Sequence, residues 1–407
     1  MTLELSDPPA ATGGVHRIGD DAEAIELARA LAEDFALEAR TRDQERRLPY
    51  AEVERYSRSG LWAITVPRAH GGAGVSTHTL TRVIALVAAA DGSLGHIPQN
   101  HFYALEALRV GGTEAQQAFF YQRALAGDRF GNALAEIGHK DYRRRTTLRR
   151  DGAAWRLDGR KFYCTGALFA DWIPTLAVSQ DESGENSHLV FVPADAPGVQ
   201  VTDDWDGFGQ RVTGSGSVHL QDVHVQPEWI VPFKASFERP TTIGPFAQIM
   251  HAAIDAGIGH GALQALLPWV REHARPWVDA GVERADQDPL LVAQIGDVHV
   301  RLRAADALIA RAARIVDAAR RAPDEQSVAR ASVAVAQAKA ASTRASLLAA
   351  NKLLELGGTS ATLNRHGLDR YWRNARTHTL HDPVRWKYHA IGNYYLNGRI
   401  PPRHGAI

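Results

Sequence analysis

The sequence predicts an α+β protein in which a helical region, a sheet region and a second helical region follow one another. Apolar residues recur at helical spacing through roughly the first 130 residues, as in the run from Ile25 to Ala36. From about residue 131 the period shortens to two, as in the alternation from Val218 to Val225. After Pro240 the spacing is helical again.

These changes of period predict a flexible leader, an N-terminal helical domain, a middle antiparallel β domain and a C-terminal helical bundle with a tail. The expected boundaries are 1–19, 20–130, 131–240 and 241–407. In the N-terminal domain, helices are expected from Asp20, over a short stretch ending at Gly60, and at 77–90, about 101–110 and 114–125. The leader carries prolines and glycines without hydrophobic periodicity, which is typical of a flexible terminus.

The β domain is predicted from turn residues and short alternating runs. Asp151-Gly152 and Asp158-Gly159 are hairpin turn signals on either side of one strand. Further strands are expected at 175–178, 188–192, 198–202 and from 218 to 225. Together they predict a compact antiparallel sheet.

The C-terminal domain is predicted to be built on three long helices. They are expected at 246–274, with a kink at Pro268, at 299–320, and at 324–356. The last is rich in alanine and is closed by Gly357-Gly358, a helix-ending signature. Its small-residue face suits close packing of helices. This helix and the tail at 397–402 are both expected to contact other subunits. That tail could alternatively fold on its own chain.

Composition excludes several classes of protein. The 407 residues contain 46 Lys and Arg against 46 Asp and Glu, so no net charge attracts nucleic acid or an anionic membrane. The single Cys164 excludes an intramolecular disulfide framework. The first residues lack the basic and apolar stretches of a signal peptide, so none is expected, and there is no run of about 18 apolar residues. We therefore expect a cytoplasmic protein with no membrane partner.

The stretch from Tyr371 to Pro383 concentrates groups that suit acid–base chemistry. His378 and His381 are three apart and lie on one side of a helical turn, and Asp382 follows at once. Pro383 disfavours helical dihedrals at the residue before it, so the helix is expected to end there. The alternative is a solvated helix end whose imidazoles offset the helix dipole. As facial metal ligands the three side chains are too crowded, and no metal is expected.

A second motif, Gly257-Ile258-Gly259-His260-Gly261-Ala262, fits the spacing of a dinucleotide-binding loop. The residues before it, 252–256, have helical rather than strand character. We therefore reject a nicotinamide site there.

Several motifs together resemble the acyl-CoA dehydrogenase superfamily, and the resemblance covers about residues 20 to 400. Dehydrogenases of that family carry an Arg-Asp-Ala-type stretch before a loop with the catalytic glutamate. Here Arg373-Asn374-Ala375-Arg376 precedes His381-Asp382-Pro383-Val384, so Asp382 stands at the glutamate position. The resemblance implies an acyl-CoA dehydrogenase-like fold with a C-terminal four-helix bundle and a homotetramer.

The run from Thr377 to Pro383, with Trp386-Lys387 and 392–395, is similar to a flavin-dependent monooxygenase branch of that superfamily. That branch includes dibenzothiophene monooxygenase and the sulfur-acquisition oxidoreductases. The resemblance implies an enzyme that takes reduced FMN from a separate flavin reductase and oxygenates a small organosulfur or nitrogen compound through a C4a-(hydro)peroxyflavin. The alternatives are an acyl-CoA dehydrogenase with FAD and Asp382 as base, and a scaffold without catalysis.

The resemblance also implies the cofactor site. Phe162 would pack on the flavin ring, Thr165 would lie near N5 or a bound peroxide, and the backbone amides of 133–135 and 164–166 would meet the ring edge. The implied flavin contacts are Asn132, Ala133, Leu134, Phe162, Cys164 and Thr165. Without the resemblance, Phe162 reads as a core strand residue.

For the phosphate, the resemblance implies the cationic pair Arg271 and Arg275 and the glycine loop Gly357-Gly358 of a neighbouring subunit. Pro276-Trp277 replaces the aromatic–glycine pair that supports adenosine in FAD-binding relatives. The site therefore favours FMN over FAD. The alternative is a solvated helix face and an ordinary helix end.

His96 matches a pocket histidine of the monooxygenases, and Asn100 stands where they carry a tyrosine. His101 or Tyr103 could replace that phenol, and Asp382 completes the expected substrate pocket. In the expected mechanism His381, oriented by His378, hydrogen-bonds or protonates the peroxide, which Thr165 and Asn132 hold.

Overall fold

The computed structural model describes residues 14–141, 143–181 and 184–407. Residues 1–13 of the predicted leader lie outside this part of the chain. The predicted α+β class, with a sheet between two helical regions, is confirmed. No helix of the described residues combines the length and the hydropathy needed to cross a bilayer.

Six helices form the N-terminal region of the described chain. They are α1 (Asp21–Glu45), α2 (Tyr50–Arg58), α3 (Thr77–Ala90), α4 (Gly92–His96), α5 (Pro98–Gly111) and α6 (Glu114–Leu125). Local capping explains where several of them begin. Asp20 accepts hydrogen bonds from the first amides of α1, and Thr113 and Gln116 form a capping box at α6.

The middle region is a seven-stranded sheet with the order β5-β6-β2-β1-β3-β4-β7. Its strands are β1 (Thr147–Asp151), β2 (Ala154–Lys161), β3 (Trp172–Asp181), β4 (Gly184–Pro193), β5 (Val199–Thr202), β6 (Ser217–Val225) and β7 (Ile230–Pro232). The prediction of a fully antiparallel sheet is wrong at one point, because β1 and β3 pair in parallel through Thr147 and Val178. The other pairs of these seven strands are antiparallel, and two isolated bridges from Phe130 and Ala133 to β3 are parallel.

The two predicted hairpin turns have different outcomes. Asp151-Gly152 does lead from β1 into β2. Asp158-Gly159, in contrast, lies inside β2, where the register with β6 shifts. A side chain at Gly159 would collide with Thr146, and the Asp158 carboxylate accepts from the Asp222 amide. The pair therefore serves a bulge and a close packing contact rather than a turn.

The C-terminal region consists of α7 (Lys234–Phe237), α8 (Ile243–Glu272), α9 (Pro289–Arg321), α10 (Glu325–Gly357), α11 (Asp369–His378) and α12 (Val384–Asn397). The helices α8, α9, α10 and α12 form the predicted four-helix bundle, with α10 packed against the other three. The start of α9 lies ten residues before the predicted one. Asp288 caps it and Pro289 occupies the first helical position, which favours initiation there.

The motif at 257–262 is a helix-packing device. It lies within α8, which confirms that it is no strand–turn–helix loop. A side chain on Gly257 would meet Ala85 and Ala88 of α3, and one on Gly261 would meet the carbonyl of Ala89. The glycines therefore allow α3 and α8 to approach closely, and this fixes the N-terminal helices on the bundle.

Glu106 of α5 makes a second connection between the two helical regions. Its buried carboxylate accepts from Arg109 on the same helix, from the Thr242 hydroxyl before α8, and from Arg320 of α9 at 2.9 Å. Burial alone would raise the pKa of Glu106, but the guanidinium groups of Arg320 and Arg109 outweigh it and lower the pKa to about 2.

This lowered pKa predicts an acid-sensitive contribution to stability. The contribution is fully present above the ordinary glutamate pKa of 4.5 and is lost as the pH falls toward 2. We expect Glu106→Gln to lower the free energy of unfolding at pH 7 by about 3 kcal/mol. In urea unfolding, the difference in the free energy of unfolding between the variant and the unmodified protein should narrow by about 1 kcal/mol per pH unit below pH 4.5. The exposed Glu283→Gln is the control, and a gap that stays constant between pH 7 and 3.5 would contradict the assignment.

Candidate active site

The histidine-rich stretch lies at the end of α11. His378 is the last residue of this helix, and α12 starts directly after Pro383. His378 and Asp382 are buried, whereas the His381 side chain is 40% exposed. The stretch is therefore a turn between two helices that points inward.

His378 ends a buried chain of polar groups. Its Nδ1 donates to Asp255 Oδ1 of α8 at 2.5 Å, and Lys339 Nζ and the Thr343 hydroxyl of α10 donate to Asp255 Oδ2 at 2.6 and 2.8 Å. Asp255 and Lys339 are fully buried. Burial alone would raise the pKa of Asp255, but Lys339 and His378 lower it to about 2.

His251 continues this chain toward a cavity. It lies one helical turn before Asp255 on α8, and its Nδ1 donates to His378 Nε2 at 3.2 Å. Burial lowers the pKa of His378 to about 4 and that of His251 well below the ordinary value. Since Lys339 already supplies the counter-charge of Asp255, both imidazoles are neutral near pH 7.

His381 is oriented by its neighbour and not by His378. Its Nδ1 donates to Asp382 Oδ2 at 3.0 Å, and its ring contacts that of His251 with centroids 3.9 Å apart and the planes tilted by 33°. Burial would raise the pKa of Asp382, but His381 and Lys387 hold it below the ordinary value. The expected orientation of His381 by His378 is thus corrected, because the ring of His251 contacts both of them.

His96, at the end of α4, completes the group of imidazoles. Asp91 caps this short helix and also pairs with the buried Arg42, which fixes the position of His96. His96 Nδ1 donates to Gln210 Oε1 at 3.2 Å, and Gln210 Nε2 donates in turn to the carbonyl of Gly92. Burial, with His378 and His381 nearby, lowers the pKa of His96 well below the ordinary value.

These imidazoles face a cavity of about 1390 Å³ at the junction of the sheet and the two helical regions. The expected site residues that line it are His96, Asn100, Asn132, Leu134, Thr165, His378, His381 and Asp382. The sequence analysis missed His251, Asp255 and Lys339. A signal did exist, since His251 and Asp255 are polar residues one turn apart in the otherwise apolar stretch 249–259 of α8.

The wall formed by the sheet presents Tyr163 where the resemblance implied Phe162. Tyr163 has a left-handed φ of 58° and is 47% exposed at the cavity, with Trp205 beside it. The half-buried Phe162 packs against these two rings and does not line the cavity. The expectation for Phe162 is therefore corrected, because the left-handed residue breaks the alternation of the strand before it.

Most of the implied backbone donors are engaged within the protein. The amides of Ala133 and Cys164 donate to Pro174 and Gly216, and that of Thr165 donates to Tyr163. The amides of Leu134 and Gly166 donate to Asn132 Oδ1 and to Thr213. Ala133 and Cys164 are fully buried, and neither lines the cavity. The wall offers polar side chains instead, in particular the Thr165 hydroxyl, which shares a hydrogen bond with Ser215 at 2.7 Å.

His101 is not a pocket residue. It is fully buried in the N-terminal region, where its Nδ1 accepts from the Phe130 amide and its Nε2 donates to the Trp62 carbonyl. Burial lowers its pKa to about 3, so it is neutral. Of the two expected replacements for the missing phenol, only Tyr103 lines the cavity.

The implied phosphate residues lie far from the imidazoles of the same chain. Arg271 is 20 residues after His251 on α8, which corresponds to about 30 Å. Arg275 lies beyond the end of α8, so the two arginines do not share a helix face as expected. Neither arginine lines the cavity, and neither do Gly357 and Gly358.

The tail folds back on its own chain and forms part of the cavity wall. Lys387 Nζ donates to the carbonyl of Ala406 at 2.5 Å and to Gln248 Oε1 at 2.9 Å, and Gln248 Nε2 donates to the carbonyl of Gly405 at 3.0 Å. Burial lowers the pKa of Lys387 to about 8. Residues 399–402 and 404–407 line the cavity.

The cavity suits a flat aromatic cofactor with a polar edge. Its volume exceeds the roughly 300–1,000 Å³ of ordinary small-molecule pockets, so there is space for a flavin ring and a substrate. The exposed ring of Tyr163 and the half-buried ring of Trp205 offer stacking surfaces, and Thr165 and Ser215 offer hydroxyl groups. The residues present therefore fit FMN.

Three domain models match consecutive parts of the chain. They are described as the N-terminal, middle and C-terminal domains of acyl-CoA dehydrogenase and match residues 20–128, 136–223 and 249–386.

Individual relatives match almost the whole chain. A dibenzothiophene monooxygenase of Rhodococcus erythropolis is 34% identical over 398 residues, which cover 94% of this chain and 95% of that protein. A probable FMNH2-dependent monooxygenase of Pseudomonas putida is 32% identical, with 93% and 96% covered. The FMN-bound crystal structure of dibenzothiophene monooxygenase from Paenibacillus sp. A11-2 is 32% identical, with a TM-score of 0.90 and coverage of 94% and 100%.

The buried pair of Asp255 and Lys339 predicts strong coupling between α8 and α10. We expect Asp255→Asn or Lys339→Met alone to lower the free energy of unfolding by about 3 kcal/mol, because each leaves an uncompensated buried charge. The double variant should lose less than the sum of the two, with a coupling energy of about 2 kcal/mol in urea unfolding. Strictly additive losses would show that the two charges do not compensate each other.

Proposed function

The chain belongs to the acyl-CoA dehydrogenase family, and on that premise we propose that it is a flavin-dependent monooxygenase acting with reduced FMN and dioxygen on a small organosulfur compound. The observation that carries this proposal is the set of imidazoles from α4, α8, the end of α11 and the turn after it, which faces the cavity where dehydrogenases of the family carry a glutamate. Burial lowers the pKa of His96, His251 and His378, so these three rings are neutral.

Asp382 is poorly suited to be the base of a dehydrogenase. Its carboxylate is buried against the imidazole of His381, and its pKa is held below the ordinary value. A carboxylate stabilised in its charged form abstracts protons weakly. The alternative of an acyl-CoA dehydrogenase with FAD is therefore set aside.

In the proposed reaction, reduced FMN supplies two electrons and two protons, so that one atom of dioxygen reaches the substrate and the other leaves as water. The imidazoles accept and return the proton that this reaction transfers. Asp382 accepts from His381 Nδ1, which leaves Nε2 of this ring for the cavity. His381 can thus take a proton at Nε2 and return it.

The other proposed site residues hold and orient groups at the reacting centre. We propose that His378 fixes the tautomer of His251. His96 would bind the reacting group through its Nε2, from the side opposite His251. Thr165 offers a hydroxyl group to the cofactor or to bound oxygen. Asn132 supports this wall, because its amide bridges the Tyr163 carbonyl and the Leu134 amide. The buried setting limits water around the reacting atoms.

The proposed substrate class follows from the relatives. The two bacterial relatives named above and the protein in the FMN-bound structure are all monooxygenases by name. The dibenzothiophene enzymes among them act on a sulfur compound. Sulfur, like nitrogen, is a soft nucleophile that accepts an oxygen atom. We propose an organosulfur substrate, with a nitrogen compound as the alternative.

A separate flavin reductase is the proposed partner. The motif at 257–262 is helical, so it provides no nicotinamide site for reducing the flavin within this chain. Reduced FMN must then be delivered by another protein before dioxygen consumes it. We place this exchange in the cytoplasm.

We further propose a homotetramer in which a neighbouring subunit supplies the phosphate site. Arg271 lies about 30 Å along α8 from His251, so these residues of one chain do not meet around one FMN. Large apolar side chains are also exposed on α12, which suits subunit contacts. They are Trp386, Tyr388, Tyr395 and Leu396.

The test of the function is oxygen uptake with reduced FMN and a panel of organosulfur compounds. We expect His381→Ala to lower product formation about 100-fold and to release hydrogen peroxide instead, because a general acid–base group contributes roughly 100- to 10,000-fold. FMN affinity should be unchanged. The exposed His224→Ala is the control, and full coupled turnover by His381→Ala would contradict the assignment.

The test of the phosphate site compares FMN with riboflavin, which lacks the phosphate. We expect the double variant Arg271→Ala/Arg275→Ala to bind FMN about 100-fold more weakly, since charged hydrogen bonds contribute about 1.5–3 kcal/mol each, and to bind riboflavin as before. The exposed Arg330→Ala is the control. Equal losses for both flavins in a fluorescence titration would exclude a phosphate contact.

A further inference from the structure

Three histidines of the cavity share a hydrogen-bonding pattern that is typical of metal ligands. One ring nitrogen of each of His96, His251 and His381 lies within 4.8 Å of those of the other two. The three residues come from α4, from α8 and from the turn after α11. This convergence is invisible in the sequence, where only His378, His381 and Asp382 are neighbours.

In each ring Nδ1 is already engaged with an acceptor. Gln210 Oε1 accepts from His96, Asp382 Oδ2 accepts from His381, and His378 Nε2 accepts from His251. The acceptors are fixed in turn, because Gln210 also donates to the Gly92 carbonyl and His378 donates to Asp255. Each Nδ1 therefore carries the proton, and each Nε2 presents a lone pair.

In the described part of the chain, the lone pair of His96 lacks a protein donor. Among the described residues, no donor lies within hydrogen-bonding reach of the buried His96 Nε2. A buried acceptor without a partner is costly, and here it faces two further acceptors. A proton donor or a cation bound between the three nitrogens would remove this energetic cost.

We propose that the Nε2 atoms of His96, His251 and His381 form a binding site for a divalent transition-metal ion of the Zn²⁺ class. Three histidines and an open fourth position are an established Zn²⁺ ligand set, and imidazoles whose other nitrogen donates to a fixed acceptor are its usual form. A tetrahedral ion requires nitrogens about 3.3 Å apart at Zn–N distances of about 2.0 Å. The half-exposed His381 side chain can rotate to close that gap.

A bound ion would inhibit the enzyme. It would occupy the lone pairs that the proposed reaction uses to hold a proton, and it would fill part of the cavity that these histidines line. The inference depends on side-chain geometry and can be tested without flavin or substrate, so its failure is distinguishable from failure of the proposed function.

The experiment titrates the chelator-treated full chain with Co²⁺ and follows visible absorption, then displaces the ion with Zn²⁺ in a calorimeter. We expect one ion per chain and intense bands of a tetrahedral site. His251→Asn should weaken binding by at least the 10- to 100-fold known for second-shell changes, and Gln210→Leu by about 10-fold. Urea unfolding verifies that the variants fold.

His381→Ala, which changes a half-exposed residue, provides a second ligand variant if His251→Asn does not fold. The matched control is His224→Asn on the sheet surface, which should bind like the unmodified chain. Absence of Co²⁺ bands, or equal affinity in His381→Ala and His224→Asn, would overturn the proposal. Zn²⁺ should also inhibit oxygen-coupled turnover, in competition with the substrate.

Discussion

Asp255 and Lys339 meet without access to water where α8 crosses α10, and His378 of α11 closes on the same carboxylate. Transferring a carboxylate and an ammonium group into such a setting costs several kcal/mol per ion, and only close pairing with further hydrogen bonds offsets it. The pairing exists when all three helices have their native positions. The helix packing of the bundle and the placement of the imidazoles at the cavity therefore depend on the same contact.

The cavity draws on every region of the chain. The N-terminal helices supply His96, the sheet supplies Thr165, the bundle supplies His251, and the turn after α11 supplies His381. The two helical regions are stabilised elsewhere, by the glycine contacts of α8 with α3, by Glu106, and by Arg42 beneath α4. A precise site at a junction is possible because the parts that meet there are rigid.

Periodicity alone predicts most of the fold, since buried helices and strands repeat their apolar residues at 3.6 and 2 residues. It does not reveal that Asp158-Gly159 belongs to a bulge or that β1 and β3 pair in parallel, because both depend on distant partners. At the site, His378 and His381 are recognisable because they are neighbours in sequence. In the sequence, Lys339 is one charge in an alanine-rich helix. Tyr163 rather than Phe162 faces the cavity because its backbone is left-handed, and the residue types do not predict this angle.

The C-terminal tail, which forms part of the cavity wall, is a suitable place to change the substrate range. Lys387 and Gln248 grip residues 405 and 406 by their main-chain carbonyls, so the hold on the tail does not depend on which side chains it carries. Residues such as Arg399, Ile400 and Pro402 border the cavity without belonging to the packed bundle. Directed evolution can therefore diversify this segment at low risk to folding, whereas libraries on α8 would disturb the core.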